Sequence, residues 1–327
     1  MLNTYTYEKI DLNNNIVLII YTKTMSDFIC DKCSKSFKSK STYTRHMERK
    51  TPCVKNNKSA CSMSSDESHL SPLVKWSGGK KDELSQILPH IPKTFKTYLE
   101  PFIGGGAVYF RVNPDSAVIN DVHKELTDFY QCIKQGHSSD IYEFMENNPN
   151  DEETYYKVRG IEPEDMLTNA QRFYYLRKTC YRGMLRYNKQ GKFNIPYGRY
   201  KNCNFEDLKN KKYEELLQRT EVKNSSFEEI FEEYDDPENF MFLDPPYDSE
   251  FTDYGYCSFG KDEQRKLADC FKKTKIRCLM IIGKTKFIEE LYKDYIVSEY
   301  DKNYRFKLHS GRIGSEINTK HLVIKNY

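Results

Sequence analysis

Asp244-Pro245-Pro246-Tyr247 follows four apolar residues, 240–243, so the four stand where a buried strand ends. A carboxylate, a carbonyl held still by consecutive prolines and an aromatic face suit an exocyclic amine on a nucleobase, such as N6 of adenine. Asp244 and the Pro245 carbonyl can each accept one amine hydrogen, which draws the nitrogen lone pair out of conjugation toward an electrophile. Pro246 stiffens the turn, and Tyr247 offers a face for stacking. Transfer to a nitrogen activated in this way needs positioning and a dry, polarised pocket rather than a metal or a covalent nucleophile.

A second cluster could hold the electrophile. Glu100-Pro101-Phe102-Ile103-Gly104-Gly105-Gly106 follows a short strand pattern and precedes an amphipathic stretch, so the glycines let a ligand come close to the backbone. The run lacks the Gly-Lys-Ser/Thr of a phosphate loop, and Tyr109 stands where a dinucleotide fingerprint needs a small residue. Glu100 suits a cationic ligand, and Asp121, closing the next strand, is placed for ribose hydroxyls. Upstream, Lys75-Trp76-Ser77-Gly78-Gly79-Lys80 adds an ammonium for a carboxylate. S-adenosylmethionine presents a sulfonium, a ribose and a carboxylate, and is the cofactor expected, with Glu100, Gly104, Gly106, Asp121, Lys80 and Asp244 around it.

The elements that position these clusters follow α/β grammar. Short apolar strands are expected at KTYLEP, SAVIND, NFMFLDPPY, RCLMIIG and HLVIKNY, with a helix over 262–272. Residues 122–217 switch to helical, Tyr- and Lys-rich sequence with a hairpin at RYNKQGKFNIPYG, turning at Gln190-Gly191. The expectation is one doubly wound sheet interrupted by a mostly helical insertion. Between 171 and 201 stand nine basic residues, eight aromatic ones and no acid, the composition of a nucleic-acid-binding surface; residues 225–238 carry seven acids and no base.

The N-terminal part has its own pattern, Phe28-x-Cys30-x2-Cys33-x3-Phe37-x5-Tyr43-x2-His46-x6-Cys53. Cys30, Cys33, His46 and Cys53 can close a tetrahedral zinc shell around a core of Phe37 and Tyr43 too small to fold unaided. The pattern resembles the C2H2 class of zinc fingers, with ligand order Cys-Cys-His-Cys, Tyr43 where leucine is usual and a longer final gap. Nine bases against two acids over 28–58 suit an accessory DNA anchor.

The chain has 327 residues, 38% of them hydrophobic, and a net charge of +3, so it can bury a substantial core. Its longest apolar run, 16–21, is far too short to span a bilayer, and no secretory leader surrounds it; seven further cysteines are scattered as reduced intracellular thiols would be. An intracellular monomer is expected. The segments are an extension at 1–27, the finger at 28–55, a serine-rich linker at 56–71 and a catalytic domain at 72–327.

KWSGGK, EPFIGGG, NDV, the block YRGMLRYNKQGKFNIPYGRYK and FLDPPY occur in the order found in Dam-type DNA adenine-N6 methyltransferases, and from about residue 72 onward the chain resembles that family. The resemblance implies a Rossmann-like S-adenosylmethionine-dependent methyltransferase fold with a helical target-recognition insertion. It also implies flipping of the target adenine out of double-stranded DNA. By resemblance, Trp76, Lys80, Phe102, Asp121 and Phe227 line the donor site and residues 244–247 hold the adenine. Tyr181 is the wedge into the duplex and Arg186 and Pro196 read bases, with Arg182, Asn188 and Arg199 of the same block on DNA. A GATC-like palindrome is the expected target.

The chain departs from the family pattern at four places. Arg182 replaces an Asn beside the wedge, Ile282-Gly283 a Ser-Asn pair, His321 a Glu, and Ser226 an Asp that many members carry before the motif phenylalanine. The alternatives are an adenine or N4-cytosine methyltransferase acting on another target such as RNA, or a zinc-finger DNA-binding protein whose methyltransferase domain is inactive. Asp at 244, together with an intact Lys80, glycine cluster and Asp121, favours an active DNA adenine enzyme.

Overall fold

A computed structural model of the chain describes residues 6–12, 15–21, 28–30, 36–37, 39–48, 69–248, 259–303 and 318–327, and the chain divides into two units, 1–67 and 68–327. In the first unit, β1 (Thr6–Leu12) and β2 (Asn15–Tyr21) pair antiparallel, a hairpin that the sequence reading passed over as an extension. β3 (Phe28–Ile29) and β4 (Ser36–Phe37) form a second antiparallel pair, followed by α1 (Lys40–Met47), whose N-cap Ser39 accepts the Thr42 amide. The Phe37 ring lies 4.8 Å from that of His46 and 6.0 Å from that of Tyr43, and Cys30 is buried. Cys33, Cys53 and most of the expected linker lie outside the described residues, and among those described no group of metal-binding side chains assembles.

The second unit is built on a seven-stranded sheet. In chain order its strands are β5 (Tyr98–Glu100), β6 (Ala117–Asn120), β7 (Thr220–Lys223), β8 (Phe240–Leu243), β9 (Arg277–Gly283), β10 (Ile296–Asn303) and β11 (Asn318–Lys325). Their order across the sheet is β10-β11-β9-β8-β5-β6-β7, and β5 to β9 run parallel. β5, β6 and β8 are buried at every position because helices cover both faces. Alternate residues feed alternate cores: Phe240, Phe242, Leu279 and Ile281 pack on one side, Met241, Leu243, Cys278 and Met280 on the other. The expected doubly wound sheet needs one correction, since β11 enters antiparallel between β9 and β10.

The chain runs outward from β5 through β6 to β7 and then returns to place β8 beside β5. That reversal makes a switch point at the carboxyl ends of β5 and β8, the place where sheets of this kind bind ligands. Short helices lead in and out of the strands: α2 (Leu84–Ile87) before β5 and α3 (Ala107–Val112) after it, α9 (Phe227–Glu233), α10 (Lys261–Lys273) and α11 (Lys286–Tyr292). Between β6 and β7 lie α4 (Lys124–Lys134), α5 (Ser138–Asn147), α6 (Glu152–Arg159), α7 (Met166–Thr179) and α8 (Lys212–Gln218). α4 packs on α7, with Phe129 stacked on Tyr174 at 5.1 Å. Beyond α7 the chain folds into a hairpin in which Tyr187 bridges Phe193 and Cys180 bridges Tyr197. No described helix is long and apolar enough to cross a membrane.

Candidate active site

β5 delivers Glu100 and β8 delivers Asp244 to the same end of adjacent strands. Lys80 lies in a 3-10 turn over Lys80–Glu83 and is almost wholly buried. Its Nζ donates to Asp244 Oδ2 at 2.6 Å and to the Gly78 carbonyl at 2.8 Å, and sits 5.2 Å from the centre of the Tyr247 ring. The ammonium expected to meet a ligand carboxylate is therefore paired with the tetrad. Burial pushes the Asp244 carboxyl above its ordinary value while Lys80 pulls it back. The Pro246 carbonyl accepts from the buried Gln264 side chain at 2.7 Å, which pins the proline turn from α10.

Tyr247 rests on a platform made by two of the departures from the family pattern. His321 of β11 is the cross-strand partner of Gly283 of β9. The Tyr247 ring stands edge-on to His321 at 5.2 Å, and a Cβ on Gly283 would lie 3.4 Å from it. His321 Nδ1 is 2.6 Å from Glu83, which also accepts from Tyr300 at 2.6 Å and from Lys302. Burial raises the Glu83 carboxyl, but His321, Lys80, Lys302 and Tyr300 together outweigh it and bring it down to about 2.

The glycine cluster works differently from the sequence reading. Gly104 and Gly106 have φ of +45° and +69°, backbone that side chains rarely adopt. A Cβ on Gly104 would lie 2.7 Å from Trp76, and one on Gly106 2.9 Å from Phe110. These glycines therefore admit the protein's own Trp76 and Phe110. Trp76 is flanked by the His123 ring at 5.7 Å and the Arg177 guanidinium at 5.1 Å.

Asp121, just past β6, accepts the amides of Gly104 at 3.1 Å and His123 at 3.0 Å, and burial raises its carboxyl to about 6. Neighbouring Asn120, not singled out from the sequence, donates to the carbonyls of Pro101 and Ser225 and accepts the Ser225 amide, stitching together the ends of β5, β6 and β7. Glu100 accepts from Tyr98 Oη at 2.5 Å, and burial, reinforced by the charge of Asp244, raises it well above the ordinary carboxylate range. Phe102 and Phe227 lie 5.6 Å apart, and Phe259, which sequence reasoning missed, closes a triangle at 5.8 and 5.9 Å. Ser226 is the N-cap of α9 in a capping box with Glu229, so its hydroxyl serves the helix.

Tyr181, 43% exposed, projects beyond the end of α7 and is followed by Arg182 at φ +56°. Asn tolerates this left-handed backbone better than Arg, so Arg182 occupies it under strain. The Tyr181 amide donates to the Pro196 carbonyl at 2.8 Å, which brings Tyr181 and the hairpin end together. Arg186 Nε donates to Asn194 at 2.7 Å, and the Asn188 side chain accepts the amides of Gln190 and Lys192, so that residue's carbonyl holds the turn. Arg199 is exposed and contacts Glu152 at 3.2 Å. The basic surface read from 171–201 is smaller than its composition: Arg172 and Arg177 are buried, as are Phe173, Tyr174, Tyr175 and Phe193.

Residues 76–308 match the model of a family described as D12 class N6 adenine-specific DNA methyltransferase. The chain is 58% identical over 260 residues to the Type II methyltransferase M.CviBI of Paramecium bursaria Chlorella virus NC1A, covering 79% of this chain and 100% of that one. It is 31% identical to the Type II methyltransferase M1.LlaDCHI of Lactococcus lactis subsp. cremoris, over 79% of this chain and 96% of the relative. A DNA adenine methylase of Vibrio cholerae is 30% identical over 62% of this chain and 76% of its own length.

Proposed function

The chain belongs to the D12 class of N6 adenine-specific DNA methyltransferases, and from that premise we propose how its residues carry out site-specific adenine methylation. The observation that carries the reading is the Lys80–Asp244 ion pair at 2.6 Å, at the carboxyl ends of β5 and β8. S-adenosylmethionine, the cofactor expected of this family, supplies a methyl group on a sulfonium. The donor set fits it: buried Glu100, whose raised carboxyl a cationic group would draw toward its ionised form, Asp121 for hydroxyl groups, the Phe102, Phe227 and Phe259 rings for the donor's adenine, and Trp76 along the glycine turn.

On the acceptor side Lys80 opposes the burial that raises the Asp244 carboxyl, and the Asp244 carboxylate and the Pro245 carbonyl accept the two N6 hydrogens of the flipped adenine. Gln264 holds Pro246, and Tyr247, braced by His321, stacks on the base. As the nitrogen is methylated its proton passes toward Asp244.

Tyr181 is the wedge, and the exposed Arg182, Arg186, Lys189, Lys192, Arg199 and Lys201 face DNA. Arg186, backed by Asn194 and close to Pro196, reads a guanine beside the target adenine in a short palindrome of the GATC type; a bidentate contact is worth about 1–3 kcal/mol of discrimination. Mapping methylated adenines on mixed-sequence DNA by single-molecule sequencing tests this. Arg186→Ala is expected to lose the guanine from the site logo, and an unchanged logo would remove Arg186 as a reader.

Residues 28–55 are read as a zinc finger that anchors DNA, supported by the order β3-β4-α1 and by Phe37 against His46. One zinc per chain, lost in Cys33→Ser, is expected by elemental analysis; a native chain without zinc would end that reading.

A further inference from the structure

A line of hydrogen bonds runs from the donor side of the site to the hairpin proposed to read bases, and no step of the chemistry uses it. It starts at Asp121, whose Oδ1 accepts the His123 amide at 3.0 Å. His123 is buried, its ring lies edge-on to Trp76, and its Nδ1 accepts the Leu126 amide at 3.2 Å, which caps α4. A nitrogen that accepts a backbone N–H carries no proton, so the proton of the neutral ring sits on Nε2. Burial, helped by the Arg177 charge, keeps the ring neutral by lowering its pKa to about 3.

The direction of every later bond follows. His123 Nε2 donates to Tyr187 Oη at 2.7 Å, and the Tyr187 hydroxyl donates in turn to Glu125 Oε2. Glu125 Oε1 accepts from buried Arg172 at 3.0 Å, and Arg172 also donates to the Arg159 carbonyl at 3.1 Å. Tyr187 bridges Phe193 across the hairpin and stands between Arg186 and Asn188.

A second tie runs parallel to the first. Arg177 of α7 is buried, lies over Trp76, and donates to the Lys75 carbonyl and, at 2.9 Å, to the Met184 carbonyl just past the wedge. Both ties begin at residues that flank the glycine turn and end in the segment that carries Tyr181 and Arg186.

We infer that Tyr187 is a positioning residue that couples occupation of the donor site to recognition of the DNA sequence, its hydroxyl joining the segment Asp121–His123 to the hairpin. A donor that engages Asp121 and packs beside Trp76 fixes the His123 ring. The ring fixes Tyr187, and Arg186 then meets the duplex in a hairpin already ordered. Ordering supplied by one ligand no longer has to come from the other, which is positive cooperativity, and it is reciprocal. The inference rests on the donor and hairpin roles proposed above.

The test uses the full chain, the donor analogue sinefungin, and a duplex containing a site at which the wild type is mapped to methylate. The dissociation constant of the duplex is measured with and without saturating sinefungin, and that of sinefungin with and without duplex. For the wild type, each ligand is expected to tighten the other by the same factor, about 5-fold or more. In Tyr187→Phe, which removes one oxygen, the factor falls toward one while sinefungin alone binds within about twofold of wild type. Glu125→Gln, which removes the charge at the end of the relay, behaves alike and guards against a folding defect peculiar to one variant. Wild-type coupling retained by both variants, or its absence from a wild type that binds both ligands, overturns the inference and leaves the functional reading standing. A wild type that binds neither ligand overturns both.

Discussion

Asp121 holds structure together at a position also proposed to bind the donor. Its two oxygens already hold the amides of Gly104 and His123, and burial raises its carboxyl to about 6. Without ligand, a carboxyl raised in the folded state lowers stability as pH climbs from its ordinary value to about 6, because the folded chain holds a proton that the unfolded chain releases. A ligand donating hydroxyl hydrogens favours the ionised form. Sinefungin binding is therefore expected to tighten as pH rises from 5.5 to 7.5 and to release a proton near pH 6. Calorimetry in buffers of differing ionisation heat measures both, and equal affinity with no proton release at either end would remove Asp121 as the hydroxyl acceptor. The carboxylates themselves were legible in the sequence, since each ends a short apolar run. The partners that tune them were not: Lys80 meets Asp244 across 164 positions of chain, a contact that only the fold creates.

At the scale of elements, Glu83 fastens the 3-10 turn carrying Lys80 to β10 and β11 through Tyr300, Lys302 and His321. A carboxyl lowered to about 2 contributes stability that is present above its ordinary pKa of 4.5 and is lost as pH falls toward 2. Glu83→Gln is expected to destabilise the chain at pH 7 by on the order of 3 kcal/mol, because it leaves the cations at this buried site without their counter-charge. Denaturant unfolding should show that deficit narrowing below pH 4.5, and a deficit independent of pH would mean that Glu83 acts through shape alone.

Strand legibility follows burial. β8 and β9 read plainly because they are covered on both faces, whereas β7 (TEVK) and β10 (IVSEYDKN) lie at the two ends of the sheet and mix charges into their sequences. The basic stretch of α7 misled in the opposite direction. Composition does not separate an Arg177 that binds carbonyls in the interior from an Arg186 that faces solvent.

For the whole molecule, the order of the sheet explains why motifs distant in sequence form one site. The return of the chain from β7 to β8 sets EPF and DPPY side by side, and the 3-10 turn and β11 close in on the tetrad with Lys80 and His321. The insertion between β6 and β7 departs from the end of β6, directly after Asp121, so the elements proposed to bind donor and DNA share a root. The central claim, that this site methylates N6 of adenine through Asp244, is tested by incubating the full chain with DNA and methyl-labelled S-adenosylmethionine and identifying the labelled nucleoside. The account predicts N6-methyladenine from the wild type. From Asp244→Ala it predicts at least about a 100-fold lower yield, with sinefungin binding retained. Label in N4-methylcytosine, or wild-type turnover by Asp244→Ala, would contradict it.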